Sequence, residues 1–166
     1  MSDAPLAYFI TFRTYGTWLQ GDSRESTDRW HNRYGEPSAP SSSAREGYHR
    51  DLMCGDAVVL TTGQRAIVDR GVRSRCEERG WGVLAANVRT NHVHVVVSAS
   101  APAEVVMGNL KAAATQSLTG LGEFARGAKV WSRGGSTRYL WTERDIEGAW
   151  EYVVNGQDEK PGREHE

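Results

Sequence analysis

The order of apolar and polar positions predicts four β-strands along the chain. Residues 7–19 are rich in aromatic and β-branched side chains, which is typical of a strand that runs into a glycine-containing turn. Residues 81–88 and 92–99 are two further β-branched segments, and the three polar residues between them predict a hairpin. A fourth segment, residues 136–142, predicts a short edge strand.

Three other segments have the spacing and end signals of helices. The first begins with Thr61 and Gln64 at capping-box spacing, ahead of an amphipathic stretch. The second follows Pro102 and repeats apolar residues every four positions, whereas the third follows Thr142 and ends at Gly156. Strand, helix, hairpin, helix, strand and helix in this order predict an α+β, ferredoxin-like antiparallel sheet with helices on one face.

The 166 residues are a suitable length for one domain, which we place at residues 1–157. Residues 21–56 are polar and rich in proline and serine, so we interpret them as a long insertion or partly ordered loop. Residues 158–166 form an acidic tail. Neither a membrane span nor a signal peptide is indicated, and the expected location is the cytoplasm.

The net charge of -1 conceals an uneven distribution of charge along the chain. Residues 1–142 carry 17 basic and 13 acidic side chains, whereas residues 143–166 carry 3 basic and 8 acidic ones. Seventeen of the 20 basic residues are arginine, whose planar guanidinium can pair with phosphate through two hydrogen bonds. This distribution permits a nucleic-acid partner but does not diagnose one.

Two histidines separated by one valine lie within the predicted strand 92–99. Side chains alternate across a strand, so one face carries His92, His94 and Val96 while the other carries Val93, Val95 and Val97. We expect the face with Val93, Val95 and Val97 to pack into the core, which leaves the histidines on an open face of the sheet. Two imidazoles this close suit a single divalent metal. Such a pair on its own is more often incidental than a ligand pair.

The last predicted helix carries a tyrosine that is not on its apolar face. The residues of the apolar stripe, which we expect to pack on the sheet, are Ile146, Ala149, Trp150, Val153 and Val154. Tyr152 lies roughly 130° from the centre of that stripe. A phenol is a poor nucleophile at neutral pH, but it can attack a phosphorus whose oxygen a metal polarises. The competing interpretation is an ordinary tyrosine at the helix border.

Together these segments resemble a known family. "NHVHVVVS", "VWSRGGSTRYLW" and "AWEYVVNGQ" resemble the HUH-type single-tyrosine transposases, which include the insertion-sequence and REP-associated tyrosine transposases of bacteria. The resemblance extends over about residues 7–157. It implies an RNA-recognition-like fold in which His92 and His94 bind Mg²⁺ or Mn²⁺. Tyr152 would attack single-stranded DNA, leaving a 5′-phosphotyrosine and a free 3′-hydroxyl.

The third metal ligand is where this sequence departs from the family pattern. In many relatives a Gln or Asn four residues after the tyrosine completes the metal site, but the residue at that position here is Gly156. It is flanked by Asn155 and Gln157, and we favour Gln157 narrowly.

The expected partner is single-stranded or hairpin DNA, bound by a homodimer or a monomer. The candidate DNA-binding residues are Arg13, Arg89, Lys111, Arg133 and Arg138. The leading hypothesis is a metal-dependent nickase and strand transferase. Two alternatives stay open: a domesticated hairpin-binding protein that no longer cuts, and a ferredoxin-like interaction domain with incidental histidines.

Overall fold

Residues 4–16 and 57–156 are described by the computed structural model. They contain one four-stranded antiparallel sheet with the strand order β2-β3-β1-β4. Its strands are β1 (Ala7–Arg13), β2 (Gly82–Val88), β3 (His92–Ser98) and β4 (Ser136–Leu140). The predicted insertion at residues 21–56, the acidic tail and Gln157 lie outside the described residues.

The described part of the chain has three α-helices: α1 (Thr62–Arg79), α2 (Ala103–Gly120) and α3 (Glu143–Glu151). The last continues into a π-helical turn (Tyr152–Gly156), which we call the tyrosine turn. Both α1 and α3 begin with the reciprocal hydrogen bonds of a capping box, at Thr61 and Thr142. The α+β, ferredoxin-like prediction is therefore confirmed. None of these helices is both long and apolar enough to cross a membrane.

The larger core lies between the sheet and the pair formed by α1 and α2. The fully buried residues at its centre are Ile10, Phe12, Val68, Val93, Val95, Val97, Leu110 and Leu118. Val93, Val95 and Val97 of β3 thus face this core, as the alternation predicts. The two helices approach closely at Gly71, where a Cβ atom would lie 2.5 Å from Ser117 Oγ.

A second, smaller apolar cluster lies on the opposite face of the sheet, beneath α3. Its buried members are Ala7, Phe9, Ala85, Val96, Leu140, Ala149 and Val153. The histidine face is therefore not open, and that part of the prediction is wrong: His94 is only 4% exposed. The physical reason is that α3 has an apolar stripe of its own, which packs on the apolar residues that this face of the sheet presents.

The stripe of α3 that packs on the sheet differs from the predicted one. Ala149 and Val153 are fully buried and Ile146 packs beside them, but Trp150 and Val154 are 40% and 47% exposed. For Val154 the reason is that the prediction assumed regular α-helical spacing to Gly156, whereas the chain changes to π-helical bonding at Tyr152.

The connection from α2 to β4 approaches the sheet closely. Gly135 has a positive φ of 150°, and a Cβ atom there would lie 2.5 Å from the carbonyl oxygen of Thr11. Lys111 on α2 also holds this connection, because its Nζ donates hydrogen bonds to the carbonyls of Ser132, at 3.0 Å, and Gly134. Both features fix the start of β4 beside β1.

Candidate functional site

A row of polar side chains crosses all four strands on the face that α3 covers. In the sheet register Asn87 of β2 pairs with His94 of β3, which pairs with Thr11 of β1, which pairs with Ser136 of β4. Cross-strand partners project from the same face, so these four side chains lie side by side. The adjacent position of β3 on this face is His92, which pairs with Arg13. The polar row thus borders the apolar cluster under α3.

The two histidine rings are adjacent and individually oriented. Their centroids are 4.6 Å apart with an interplanar angle of 71°. His94 Nδ1 and Thr11 Oγ1 share a 2.7 Å hydrogen bond, and His92 Nδ1 and Asn91 Oδ1 share another of 2.7 Å. Because both Nδ1 atoms are engaged, Nε2 is the nitrogen through which each ring would bind a metal ion.

The surroundings of His94 keep its ring uncharged. Burial lowers the pKa of His94 well below its usual value, and the nearby charges of His92, Arg13 and Arg89 lower it further. A histidine must be unprotonated to bind a metal, so this environment prepares His94 for that role at neutral pH. The same two arginines place positive charge beside the histidines, where a phosphate would be attracted.

Tyr152 stands at the first position of the tyrosine turn, beside His94. The two ring centroids are 5.5 Å apart, and the Tyr152 ring also meets the edge of Phe9 at 5.8 Å. Phe9 in turn stacks against His94 at 5.4 Å. Tyr152 is 41% exposed, so one side of its ring packs on the site while the rest is open to solvent. A phenol and two imidazoles therefore occupy one small region.

The residues that could complete a metal site are only partly described. Asn155 donates a 2.8 Å hydrogen bond to Glu151 Oε2, so its amide is engaged within the helix. Within residues 4–16 and 57–156, no group of three or more His, Cys, Asp or Glu side chains is placed to hold a metal ion. Gln157 as the third ligand remains a prediction. The donors present, two adjacent imidazoles with one buried and neutral, fit a divalent metal that takes its other ligands from oxygen.

The structure places most of the predicted DNA-binding residues near this site, with one clear exception. Arg13 and Arg89 both act electrostatically on His94, and Arg138 projects from the same face because it pairs with Phe9. Arg133 is exposed in the connection before β4. Lys111 instead lies on α2, on the other side of the sheet, with its ammonium directed at two backbone carbonyls. Its role in binding DNA stays a prediction that this contact does not support.

Sequence reasoning missed three residues of the site: Phe9, Thr11 and Asn87. The first two alternate with the core residues of β1, but only the sheet register shows that Thr11 meets His94. Asn87 gives a weak signal, since asparagine is depleted in strands. The side of the sheet from which Asn87 projects depends on an irregularity in β2 between Val83 and Ala85, and the rule of alternating side chains does not predict that irregularity.

Comparisons with known proteins establish a shared fold. No family model and no curated protein matches the chain. A REP-associated tyrosine transposase bound to a REP hairpin is similar in structure, with a TM-score of 0.52 at 12% identity, covering 92% of this chain and 70% of that one. A provisionally assigned transposase from Deinococcus radiodurans R1 gives a TM-score of 0.51 at 12% identity, with 93% of each chain covered.

Proposed function

We propose that this protein is a metal-dependent DNA nickase and strand transferase of the HUH single-tyrosine type. The observation that carries the proposal is the contact of Tyr152 with His94, whose ring in turn lies 4.6 Å from that of His92. The likeness in fold to two transposases supports it, but a shared fold does not by itself give a function. The geometry of the site is therefore what distinguishes this function from others on the same fold.

The proposed reaction is a transesterification at a phosphodiester of single-stranded DNA. The phenolic oxygen of Tyr152 attacks the scissile phosphorus, and the bond from phosphorus to the 3′-oxygen breaks. The phenol loses its proton and the departing 3′-oxygen gains one, which leaves a 5′-phosphotyrosine and a free 3′-hydroxyl. Attack by a 3′-hydroxyl on the phosphotyrosine reverses the step and joins DNA ends.

His92 and His94 would hold Mg²⁺ or Mn²⁺ through Nε2, with Gln157 as the proposed third ligand. A divalent metal supplies charge that polarises a phosphate oxygen during attack. Imidazole is a better ligand for Mn²⁺ than for Mg²⁺, so we expect Mn²⁺ to support the reaction well. Thr11 and Asn91 keep the two rings oriented through Nδ1.

Single-stranded or hairpin DNA is the proposed substrate. Arg13, Arg89 and Arg138 are placed on or beside the face that carries the histidines, where they would hold the phosphates around the scissile bond. The REP hairpin bound to one of the similar structures supports a hairpin as the ligand. Binding of this kind weakens as the salt concentration rises.

The proposal is tested by trapping the covalent intermediate. Labelled single-stranded oligonucleotides from the DNA that flanks the protein's own gene are incubated with Mn²⁺ or EDTA and separated on a denaturing gel. We expect an adduct with Mn²⁺ and none with EDTA. Tyr152→Phe should abolish the adduct while DNA binding persists, and the matched control Tyr139→Phe, at an exposed tyrosine of β4, should retain it. An adduct that persists in Tyr152→Phe would contradict the proposal.

A second candidate function is a hairpin-binding protein that no longer cuts. The observation that favours it is the donor set, since the described residues offer two histidines without an acidic, cysteine or third histidine ligand. This alternative predicts that the oligonucleotide is bound and intact in the unaltered protein. A loss of cleavage in Gln157→Ala, but not in Asn155→Ala, would instead identify the missing ligand.

A further inference from the structure

One side chain links the histidine strand to the tyrosine turn. Asn87 Nδ2 donates a 3.0 Å hydrogen bond to the carbonyl oxygen of Val153, the residue after Tyr152. Asn87 also pairs directly with His94 in the sheet register. The bond therefore connects the row that carries His94 to the backbone that carries Tyr152.

A bulge in β2 directs Asn87 to this face. Val83 pairs with Val97, but Ala85 pairs with Val96, so Leu84 is an extra residue without a partner on β3. With regular pairing continued from Val83, position 87 would oppose Val93 and face the main core. The extra residue reverses the alternation, and Asn87 comes to face α3 beside His94.

The tyrosine turn is joined to α3 by hydrogen bonds from the Tyr152 backbone N–H to the carbonyls of Gly148 and Ala149, and apolar and ring contacts add to its packing on the sheet. Val153 is fully buried, but apolar burial has no preferred direction. The ring of Tyr152 has edge contacts with His94 and Phe9, and it is 41% exposed. The carbonyl of Val153 accepts the 3.0 Å hydrogen bond from Asn87. A directional hydrogen bond to that carbonyl orients the turn.

We propose that Asn87 is a positioning residue that holds Tyr152 in place beside the histidine pair by binding the Val153 carbonyl. The proposal rests on the function proposed above for Tyr152. Asn87 does not touch the reacting atoms, because its amide is used on the backbone. It sets the distance and angle from which the phenol approaches a phosphate bound at the histidines.

The test reports the position of Tyr152 without requiring activity. 3-Fluorotyrosine is incorporated at position 152, and its ¹⁹F chemical shift reports how close the ring lies to the rings of His94 and Phe9. Asn87→Leu removes the donor at similar volume, and Asn87→Ser keeps a polar side chain that is too short to reach. In both variants we expect the signal to move toward the value of an exposed fluorotyrosine and to broaden.

A matched control separates this role from the general loss of an asparagine hydrogen bond. Asn109 Nδ2 donates a 2.9 Å bond to the carbonyl of Val105 on α2, far from the tyrosine turn. Asn109→Ala should leave the ¹⁹F shift unchanged. Circular dichroism of each variant verifies that it is folded, and if Asn87→Leu does not fold, Asn87→Ser decides the outcome.

The rate of adduct formation gives a second, independent readout. We expect the single-turnover rate of the Asn87 variants to fall about 10- to 100-fold, the effect typical of a reacting group displaced by about 1 Å. The dissociation constant for DNA should stay within about twofold, because no phosphate contact is removed.

The two proposals fail in different ways. A displaced ¹⁹F signal in a protein that forms no adduct supports the positioning role and contradicts the proposed chemistry. Adduct formation with an unchanged ¹⁹F shift and an unchanged rate in the Asn87 variants overturns the positioning role and leaves the chemistry intact.

Discussion

Thr11 and His94 form a hydrogen-bonded pair in which a hydroxyl fixes an imidazole. Their 2.7 Å bond lies in a buried part of the sheet, where Thr11 is 9% and His94 4% exposed. A polar atom left without a partner in such a place is costly. The second contact of this kind, between His92 and Asn91, fixes the other ring. The individual residues around the histidines therefore matter as much as the histidines themselves.

Thr11→Val tests this pairing, because it replaces the hydroxyl by a methyl group and leaves the Nδ1 atom of His94 without its partner. We expect the free energy of unfolding to fall by about 1–3 kcal/mol and the affinity for Mn²⁺ to fall about 10- to 100-fold. The control is Thr137→Val, at a buried threonine of β4 that makes a long 3.4 Å contact with Glu104. Urea denaturation and calorimetric titration measure both effects. Equal Mn²⁺ affinity in the two variants would contradict the role given to Thr11.

The lowered pKa of His94 predicts how stability depends on pH. The unfolded chain protonates this histidine near its usual pKa of about 6.5, whereas the folded protein resists protonation because burial and the charges of His92, Arg13 and Arg89 oppose it. Between the two pKa values the unfolded state binds more protons than the folded state. The contribution of His94 to the free energy of unfolding therefore decreases as the pH falls below about 6.5 and is constant above that pH.

His94→Gln should flatten that part of the pH profile, because glutamine has no proton to gain. Denaturant unfolding of both proteins between pH 4.5 and 8, without added metal, measures the difference. The same decline of stability below pH 6.5 in the variant would show that His94 is not the group responsible.

At the level of secondary-structure elements, the local features were predictable and the long-range ones were not. The hairpin expected at residues 81–88 and 92–99 is found at Gly82–Val88 and His92–Ser98. The capping box expected at Thr61 and the N-cap expected at Thr142 are both present. These features depend on neighbouring residues. The face on which α3 packs depends instead on contacts with strands far away in sequence.

The wrong predictions at the histidine site have the same origin, because they too depend on contacts between residues far apart in sequence. The prediction placed His92 and His94 correctly on the face opposite Val93, Val95 and Val97, but it could not show that α3 covers that face. Nor could it show that Asn87 belongs to the site, because one extra residue at Leu84 reverses the alternation of β2. The π-helical bonding at Tyr152 likewise breaks the period on which the apolar stripe of α3 was predicted.

The connection between α2 and β4 gives a prediction for Lys111. Burial lowers the pKa of its ammonium, and that ammonium donates to the carbonyls of Ser132 and Gly134. Lys111→Met keeps the aliphatic length and removes both bonds, so we expect a loss of about 1–3 kcal/mol in the free energy of unfolding. Affinity for single-stranded DNA, measured by fluorescence anisotropy, should change much less than in Arg13→Met. Comparable losses of DNA affinity in the two variants would restore Lys111 as a DNA-binding residue.

For the molecule as a whole, the two sides of the sheet carry different sets of residues. The side under α1 and α2 holds the main core, whereas the side under α3 carries the histidines, the tyrosine, Arg13 and Arg138. The net charge of -1 describes neither side: Arg13 and Arg89 place positive charge beside His94, whereas α3 carries four acidic residues and one arginine. The fold in which this division occurs is similar to the folds of two transposases at 12% identity.

The most direct test of the account is to identify the residue that becomes attached to DNA. The adduct is trimmed with nuclease, digested with trypsin and examined by mass spectrometry. Trypsin separates Tyr152 from the exposed tyrosine of β4, because the peptide 145–163 contains Tyr152 as its only tyrosine and the peptide 139–144 contains Tyr139 as its only tyrosine. We predict a nucleotide mass on the peptide with Tyr152, formed only when Mn²⁺ is present. A nucleotide on the Tyr139 peptide, or a Tyr152 peptide of unmodified mass after DNA has been cleaved, would contradict the account.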